Sequence, residues 1–157
     1  LVQESIAAMY PEFDRRDIQL ELIGDTAFMS GDRPALETLI KNLLDNACKY
    51  TPPDGNVRAV VTEKPNGITL RIEDSGPGVP EDHYQRIFDR FYRLDGDYHE
   101  SGIIGCGLGL AIVQHIADLH GASIIVGKSS FESGLAMTVT FPRHRNRNNH
   151  SARQHNV

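Results

Sequence analysis

Cysteine is scarce in this chain of 157 residues: Cys48 and Cys106 are its two thiols, and neither sits in a paired spacing with another Cys or a His. That excludes a zinc ribbon or finger and a dithiol redox motif. Both are read as reduced thiols, with a single Cys48–Cys106 disulfide as the competing reading. No apolar run reaches membrane-spanning length and no charged-then-apolar leader opens the sequence. The piece in hand is therefore expected to be soluble, with any membrane attachment elsewhere. No internal repeat is visible. Acidic residues are missing from 142–157, which hold Arg143, Arg145, Arg147 and Arg153. The net charge of −5 thus hides an asymmetry: setting these four aside from the 16 Lys and Arg leaves a body of twelve basic against 21 acidic residues. An acidic body disfavours a nucleic-acid binder. The basic, Asn- and His-rich tail is expected to be disordered, an arm for nucleic acid or anionic lipid being the sharper alternative. What is present, 39% hydrophobic and 24% charged residues, fits one compact domain with a core.

Residues 1–9 read as the end of a helix closed by Pro11, so the chain is read as starting mid-protein, and Ile18-Gln19-Leu20-Glu21-Leu22 alternates as a strand. Asp32 is placed as an N-cap and Pro34 in the first turn of a helix that runs to about Tyr50, where Pro52 and Pro53 stop it. Strands are expected over 56–63 and 68–74, around Lys64-Pro65-Asn66-Gly67, whose Asn-Gly is a hairpin signal. A helix is expected over 80–91, then a segment poor in apolar residues to 104. Another helix opens near Gly107 and ends at His120-Gly121, and strands follow over 122–128 and 135–141.

Chemistry first enters on the helix ending at Tyr50. At about 100° per residue, Leu36, Leu39, Ile40, Leu43, Ala47 and Tyr50 make one stripe, and Asn42, Asn46 and Lys49 fall within about 60° of one another on its flank. A solvent flank is ordinarily written with Glu, Lys or Gln, so two asparagines four apart carry a propensity penalty that suggests a ligand. Taken singly, each Asn reads as a surface residue or local hydrogen bonder.

Ile68, Leu70, Ile72 and Asp74 share one face of their strand, which sends a carboxylate to the side that three aliphatics mark as buried; such an acid needs a partner. It opens Asp74-Ser75-Gly76-Pro77-Gly78-Val79-Pro80, where two glycines let the backbone turn sharply or a ligand come close. An ionised carboxylate there can accept a hydrogen bond from an exocyclic amine such as adenine's; the simpler reading is a Gly-Pro turn. Gly105-Cys106-Gly107-Leu108-Gly109 leads into a nearly all-apolar helix, whose free N–H groups and dipole favour an anion such as phosphate. The run is neither a Walker loop, which needs Gly-Lys-Ser/Thr, nor the dinucleotide fingerprint, which follows a strand directly. Between the glycine sites, Ile87-Phe88-Asp89-Arg90-Phe91-Tyr92-Arg93 precedes a polar stretch with Gly96 and Gly102 that is read as a mobile lid.

With these four pieces in this order, the stretch 32–141 resembles the catalytic, ATP-binding domain of sensor histidine kinases, the kinase branch of the Bergerat-fold ATPases. The asparagine helix matches that family's N box, Asp74 to Gly78 its first glycine box, Phe88 to Phe91 its F box and Gly105 to Gly109 its second glycine box. The resemblance implies that Asn46 ligates Mg²⁺ through its amide oxygen, that Lys49 and Arg93 meet phosphate oxygens, that Tyr50 lies against adenine and that Asp74 receives the adenine amino group. The implied nucleotide-binding set is Asn42, Asn46, Lys49, Tyr50, Asp74, Gly76, Gly78, Val79, Arg93, Gly105, Gly107, Leu108 and Gly109, with Asn42, Lys49 and Arg93 as catalytic residues. Hydrolytic relatives of the fold carry a Glu one turn before the metal Asn; here that position is Asn42, which implies transfer to a protein nucleophile and very slow ATP hydrolysis. The family's phosphoacceptor, a His followed by an acid and a downstream Pro on a dimerising hairpin, matches none of the seven histidines. His99, His115 and His120 are assigned to structure or solvent. Ala122 departs from the family's frequent second glycine after the helix-ending His.

The expected fold is therefore an α/β two-layer sandwich, a mixed sheet of about five strands covered on one face by three helices, with the lid beside the nucleotide. Residues 1–12 are read as the end of a linker helix from an absent dimerisation and phosphoacceptor domain, 13–142 as the catalytic domain and 143–157 as a disordered tail. The implied activity is transfer of the ATP γ-phosphate to a histidine of the same protein's missing domain and thence to a response-regulator aspartate. The whole protein would be a homodimer through that domain and this part cytoplasmic, below an inner-membrane sensor. The rivals are an anti-sigma-type serine kinase of the same fold and a nucleotide-binding interaction module without transfer.

Overall fold

The computed structural model describes residues 1–93 and 107–143. Three helices, α1 (Val2–Arg15), α2 (Arg33–Tyr50) and α3 (Gly109–Leu119), accompany five strands, β1 (Gln19–Gly24), β2 (Asn56–Lys64), β3 (Gly67–Asp74), β4 (Ser123–Lys128) and β5 (Leu135–Pro142). The sheet order is β1-β2-β3-β5-β4; β1 runs parallel to β2 and the remaining pairs are antiparallel. The expected mixed five-stranded α/β sheet is thus present. Phe13 of α1, the apolar stripe of α2 and Val113, Ile116 and Ala117 of α3 form one core with the inward residues of the strands, among them Val57, Ala59, Leu70, Ile72, Met137 and Val139. No helix among the described residues is long and apolar enough to cross a membrane.

Local signals account for most boundaries. Asp32 caps α2 by accepting from the Ala35 N–H at 2.8 Å, with Pro34 in the first turn. The other end of α3 is tied to this cap: His120 donates from Nδ1 to the Ile116 carbonyl at 2.8 Å and accepts at Nε2 from the Asp32 N–H at 3.1 Å. That bonding fixes one neutral tautomer and makes His120 a structural latch; His115 is exposed. Cys48 is a buried free thiol whose pKa is pushed up by burial, and Arg16 donates to the carbonyls of Cys48 and Lys49, pinning the end of α1 to that of α2.

Two expectations need correction. Pro11 does not close α1 but sits within it. The helix runs on because Phe13, fully buried, and Ile6 and Met9, packed on the core, outweigh one missing backbone hydrogen bond. The expected hairpin at Lys64-Pro65-Asn66-Gly67 is present: Lys64 pairs with Gly67, and Pro65 supplies the fixed φ that the first turn position wants. No α-helix forms over 80–91, only two 3-10 turns, Glu81–His83 and Arg86–Phe88. Ile87 is the one buried residue of those turns, so there is no apolar stripe to hold a longer helix, and α1 takes the third place on the sheet. Arg143, expected in the tail, donates its N–H to the Asn66 carbonyl at 3.0 Å and its guanidinium to Glu63. Residues 144–157 lie outside the described residues.

Candidate functional site

The buried stripe of α2, Leu36, Leu39, Ile40, Leu43, Leu44, Ala47 and Cys48, fixes the helix's rotation and leaves Asn42, Asn46, Lys49 and Tyr50 half-buried along its flank. These four do not behave alike. Asn42 donates from Nδ2 to the Thr38 carbonyl at 2.9 Å and turns Oδ1 toward α3, where a Cβ on Gly109 would stand 3.0 Å from it. Lys49 is paired with Asp45 at 2.8 Å, one turn back. The Asn46 amide has no hydrogen-bond partner among the described residues, and it lines a hollow of about 210 Å³, open solvent at its mouth included, with Leu43, Ala47, Ile72, Asp74, Leu135 and Met137.

Strand alternation carries Asp74 into the same hollow, 6% exposed. Its Oδ1 accepts from the Gly76 N–H at 2.9 Å and the Leu135 N–H at 3.3 Å, whereas Oδ2 has no partner among the described residues. Burial pushes this carboxyl above its ordinary value, with neighbouring Glu73 adding to the rise and the two backbone bonds opposing it. An acid so held has one oxygen that no donor among the described residues satisfies.

The first glycine loop lies against the end of α2: a Cβ on Gly76 would meet the Tyr50 carbonyl at 2.4 Å. Val79 packs half-buried on the core, and Gly78 stands beside Gly134. Gly134, at φ +122°, comes so near that a Cβ there would lie 1.8 Å from the Asp74 carbonyl oxygen, so no other residue fits. At the other end, the Phe91 N–H donates to the Gly107 carbonyl at 3.0 Å. Phe88 packs on the core while Phe91, 71% exposed, sits at φ +64°. Tyr92 bonds His83 and lies under the Arg86 guanidinium. Leu108 is the N-cap of α3 and supplies no side-chain cap, so the first N–H groups of α3 have no capping side chain among the described residues. Arg93 is half-buried at the edge of the described region; Gly105, Cys106, His99 and the rest of the expected lid lie outside it.

One neighbour escapes the sequence reading. Glu73, 2% exposed, points to the opposite side of β3 from Asp74. Its Oε1 accepts from Ser130 Oγ at 2.6 Å and Arg58 at 3.3 Å, and its Oε2 from the Ser130 N–H at 3.0 Å and Arg71 at 2.8 Å. Burial pushes the Glu73 carboxyl up, but the Ser130 and Arg71 bonds outweigh it and hold the group below the usual carboxylate range. The available signal was Arg71 at i−2 on the same face; the partners from β2 and the β4–β5 loop carry none. Among the described residues no group of three or more His, Cys, Asp or Glu could hold a metal. The unpartnered Asn46 amide is a hard oxygen donor suited to Mg²⁺ with phosphates and water completing its shell.

The profile of the family described as Histidine kinase-, DNA gyrase B-, and HSP90-like ATPase matches residues 31–145. Swarming motility regulation sensor protein RssA of Serratia marcescens is 37% identical over 90% of this chain and 30% of its own length. Signal transduction histidine-protein kinase BaeS of Escherichia coli is 34% identical over 92% of this chain and 31% of its own length. The chain thus spans about a third of either relative. Among solved structures, the mycobacterial sensor histidine kinase MprB superposes with a TM-score of 0.77 at 31% identity, covering 90% of this chain and 91% of that one. With the family profile spanning most of the sequence and both glycine motifs inside it, the chain belongs to the histidine kinase-, DNA gyrase B- and HSP90-like ATPases.

Proposed function

We propose that this chain is the Mg·ATP-binding catalytic domain of a two-component sensor histidine kinase, delivering the γ-phosphoryl group to a histidine on a dimerising hairpin of the same protein for relay to a response-regulator aspartate. The observation that carries the reading is that Asn46 and Asp74 line one hollow while the Asn46 amide and Asp74 Oδ2 are without partners among the described residues. Neither group is sealed off, so both are open to a ligand entering the hollow. The relatives' names, histidine-protein kinase for BaeS and sensor histidine kinase for MprB, favour a histidine acceptor over serine.

In this reading Asp74 Oδ2 accepts from the adenine amino group and Tyr50 and Val79 flank the base. Asn46 holds Mg²⁺ by its amide oxygen; when bound, that ion neutralises charge between the phosphates. Lys49 exchanges Asp45 for a phosphate oxygen, Arg93 meets another, and the backbone at Gly105, Gly107, Leu108 and Gly109 takes the anion at the start of α3. Asn42, an amide whose Nδ2 is engaged by Thr38, cannot take a proton from water, which directs the phosphoryl group to a protein nucleophile. α1 serves as the connection to the phosphoacceptor hairpin, through which the whole protein dimerises; this domain would lie on the cytoplasmic side of an inner-membrane sensor.

Two measurements test this. With labelled ATP and a separately supplied phosphoacceptor hairpin, the label should reside on His and be lost in acid; acid-stable label on a partner would place the chain with serine kinases, and nucleotide binding without transfer would make it an interaction module. Asn46→Ala should weaken Mg²⁺-dependent nucleotide binding at least about tenfold by calorimetry. Unchanged affinity would remove the metal assignment.

A further inference from the structure

The loop between β4 and β5, residues 129–134, contains none of the recognised motifs, yet it is fastened to β3 at both of its ends. At one end Ser130 places its N–H and its Oγ on the buried Glu73 carboxylate, at 3.0 and 2.6 Å. At the other, Gly134 packs against the Asp74 carbonyl, and the next residue, Leu135, donates its N–H to Asp74 Oδ1. The loop is closed on itself by the Ser129 N–H to the Gly134 carbonyl at 3.2 Å, and the Phe131 ring lies 4.7 Å beneath the guanidinium of Arg58, itself a partner of Glu73. Ser133 Oγ adds a bond to the Ser75 carbonyl at 3.5 Å, reaching the first glycine loop. Two consecutive acids on one strand, pointing to opposite faces, therefore grip the same loop.

We propose that Glu73 and Ser130 are positioning residues for nucleotide selection: by anchoring this loop they hold the Leu135 N–H on Asp74 Oδ1 and so fix the carboxylate with Oδ2 toward the base. The inference rests on reading Asp74 as the acceptor of the adenine amine. With both N–H groups on Oδ1 the carboxylate cannot rotate, and its remaining oxygen has one direction in which to seek a donor. With the loop released, the Leu135 bond lengthens, the carboxylate turns, and the distinction between an amino group and a carbonyl on the purine weakens.

The test is calorimetric titration of the full chain at fixed Mg²⁺ with ATP and with inosine triphosphate, which carries a carbonyl where adenine carries its amine. Ser130→Ala should weaken ATP binding about three- to tenfold and inosine triphosphate binding less than about twofold, so that their affinity ratio falls. Ser130→Thr, which keeps both donors, should restore the ratio, and amide NMR shifts of Gly76 and Leu135 should move in the Ala variant and return in the Thr variant. Equal weakening of both nucleotides, or a ratio unchanged in Ser130→Ala while Asp74→Asn collapses it, overturns the positioning role and leaves Asp74 as the base reader. A ratio unchanged in Asp74→Asn as well removes the base-reading assignment itself, and the positioning role with it.

Discussion

Changing Asp74 to Asn isolates what an interior acid does here, because the amide keeps the shape of the side chain. Its oxygen can still receive the Gly76 and Leu135 N–H groups at 2.9 and 3.3 Å, while the atom that faced the hollow becomes an NH₂. A hydrogen bond to a charged acceptor is worth about 1.5–3 kcal/mol, and a donor now confronts the adenine amine, so ATP affinity should drop about tenfold to a hundredfold. Stability should move the other way. Burial holds the Asp74 carboxyl above its ordinary value, so between the unfolded and the folded pKa the native state binds the proton more tightly than the unfolded chain does. Over that window native stability falls as pH rises, and above it the whole cost of a buried charge remains; the Asn variant carries none of it. Its melting temperature without nucleotide should exceed that of the native chain at about pH 7.5, and the gap should narrow toward about pH 3, below the ordinary value of 3.8, where Asp74 is largely protonated in both states. Calorimetry and thermal melts at the two pH values give both numbers. An Asn variant that binds ATP as tightly as the native chain, or one that melts lower at neutral pH, would refute the reasoning.

Glu73 should show the opposite pH behaviour, since its folded pKa is depressed: its stabilisation is present above the unfolded value and is lost as pH falls through the folded one. Glu73→Gln should cost of order 2 kcal/mol near neutrality, below the usual penalty for breaking a buried pair because Arg58 and Arg71 are 30% and 36% exposed and rehydrate. Urea unfolding at neutral and at acid pH should find that difference shrinking in acid; a difference independent of pH would mean that charge is not what Glu73 contributes. Purified chain should hydrolyse ATP far more slowly than the roughly 1–100 s⁻¹ at which kinases turn over, because Asn42 offers no base for water; phosphate release at such rates would overturn the role given to Asn42.

What was legible in the sequence follows from where each residue's partners lie. The α2 stripe, its Asp32 cap and the inward turn of Asp74 each depend on the period of a single element, so spacing alone placed them. Pro11 misled because the force that carries α1 past it is the burial of Phe13 beneath other elements, which no local pattern declares. At 80–91 the acids and the proline of a helix start are present, but one buried residue, Ile87, is too little to hold more than single turns. Lys49 stands four residues from Asp45 and beside Asn46; spacing permits the ion pair and a phosphate contact equally, and the choice is made by whether a ligand is there. The sharpest contrast is between residues 73 and 74. One step along β3 reverses the face, so alternation that reads Asp74 as inward reads Glu73 as outward and solvent-facing, yet Glu73 is the less exposed of the two. The register that sets Arg58 against Glu73, and the loop that brings Ser130 across from 57 residues away, bury it instead. Groups that face the hollow obey the period of their own strand or helix, whereas the groups that hold them in place come from other elements, and only the assembled sheet brings those into contact.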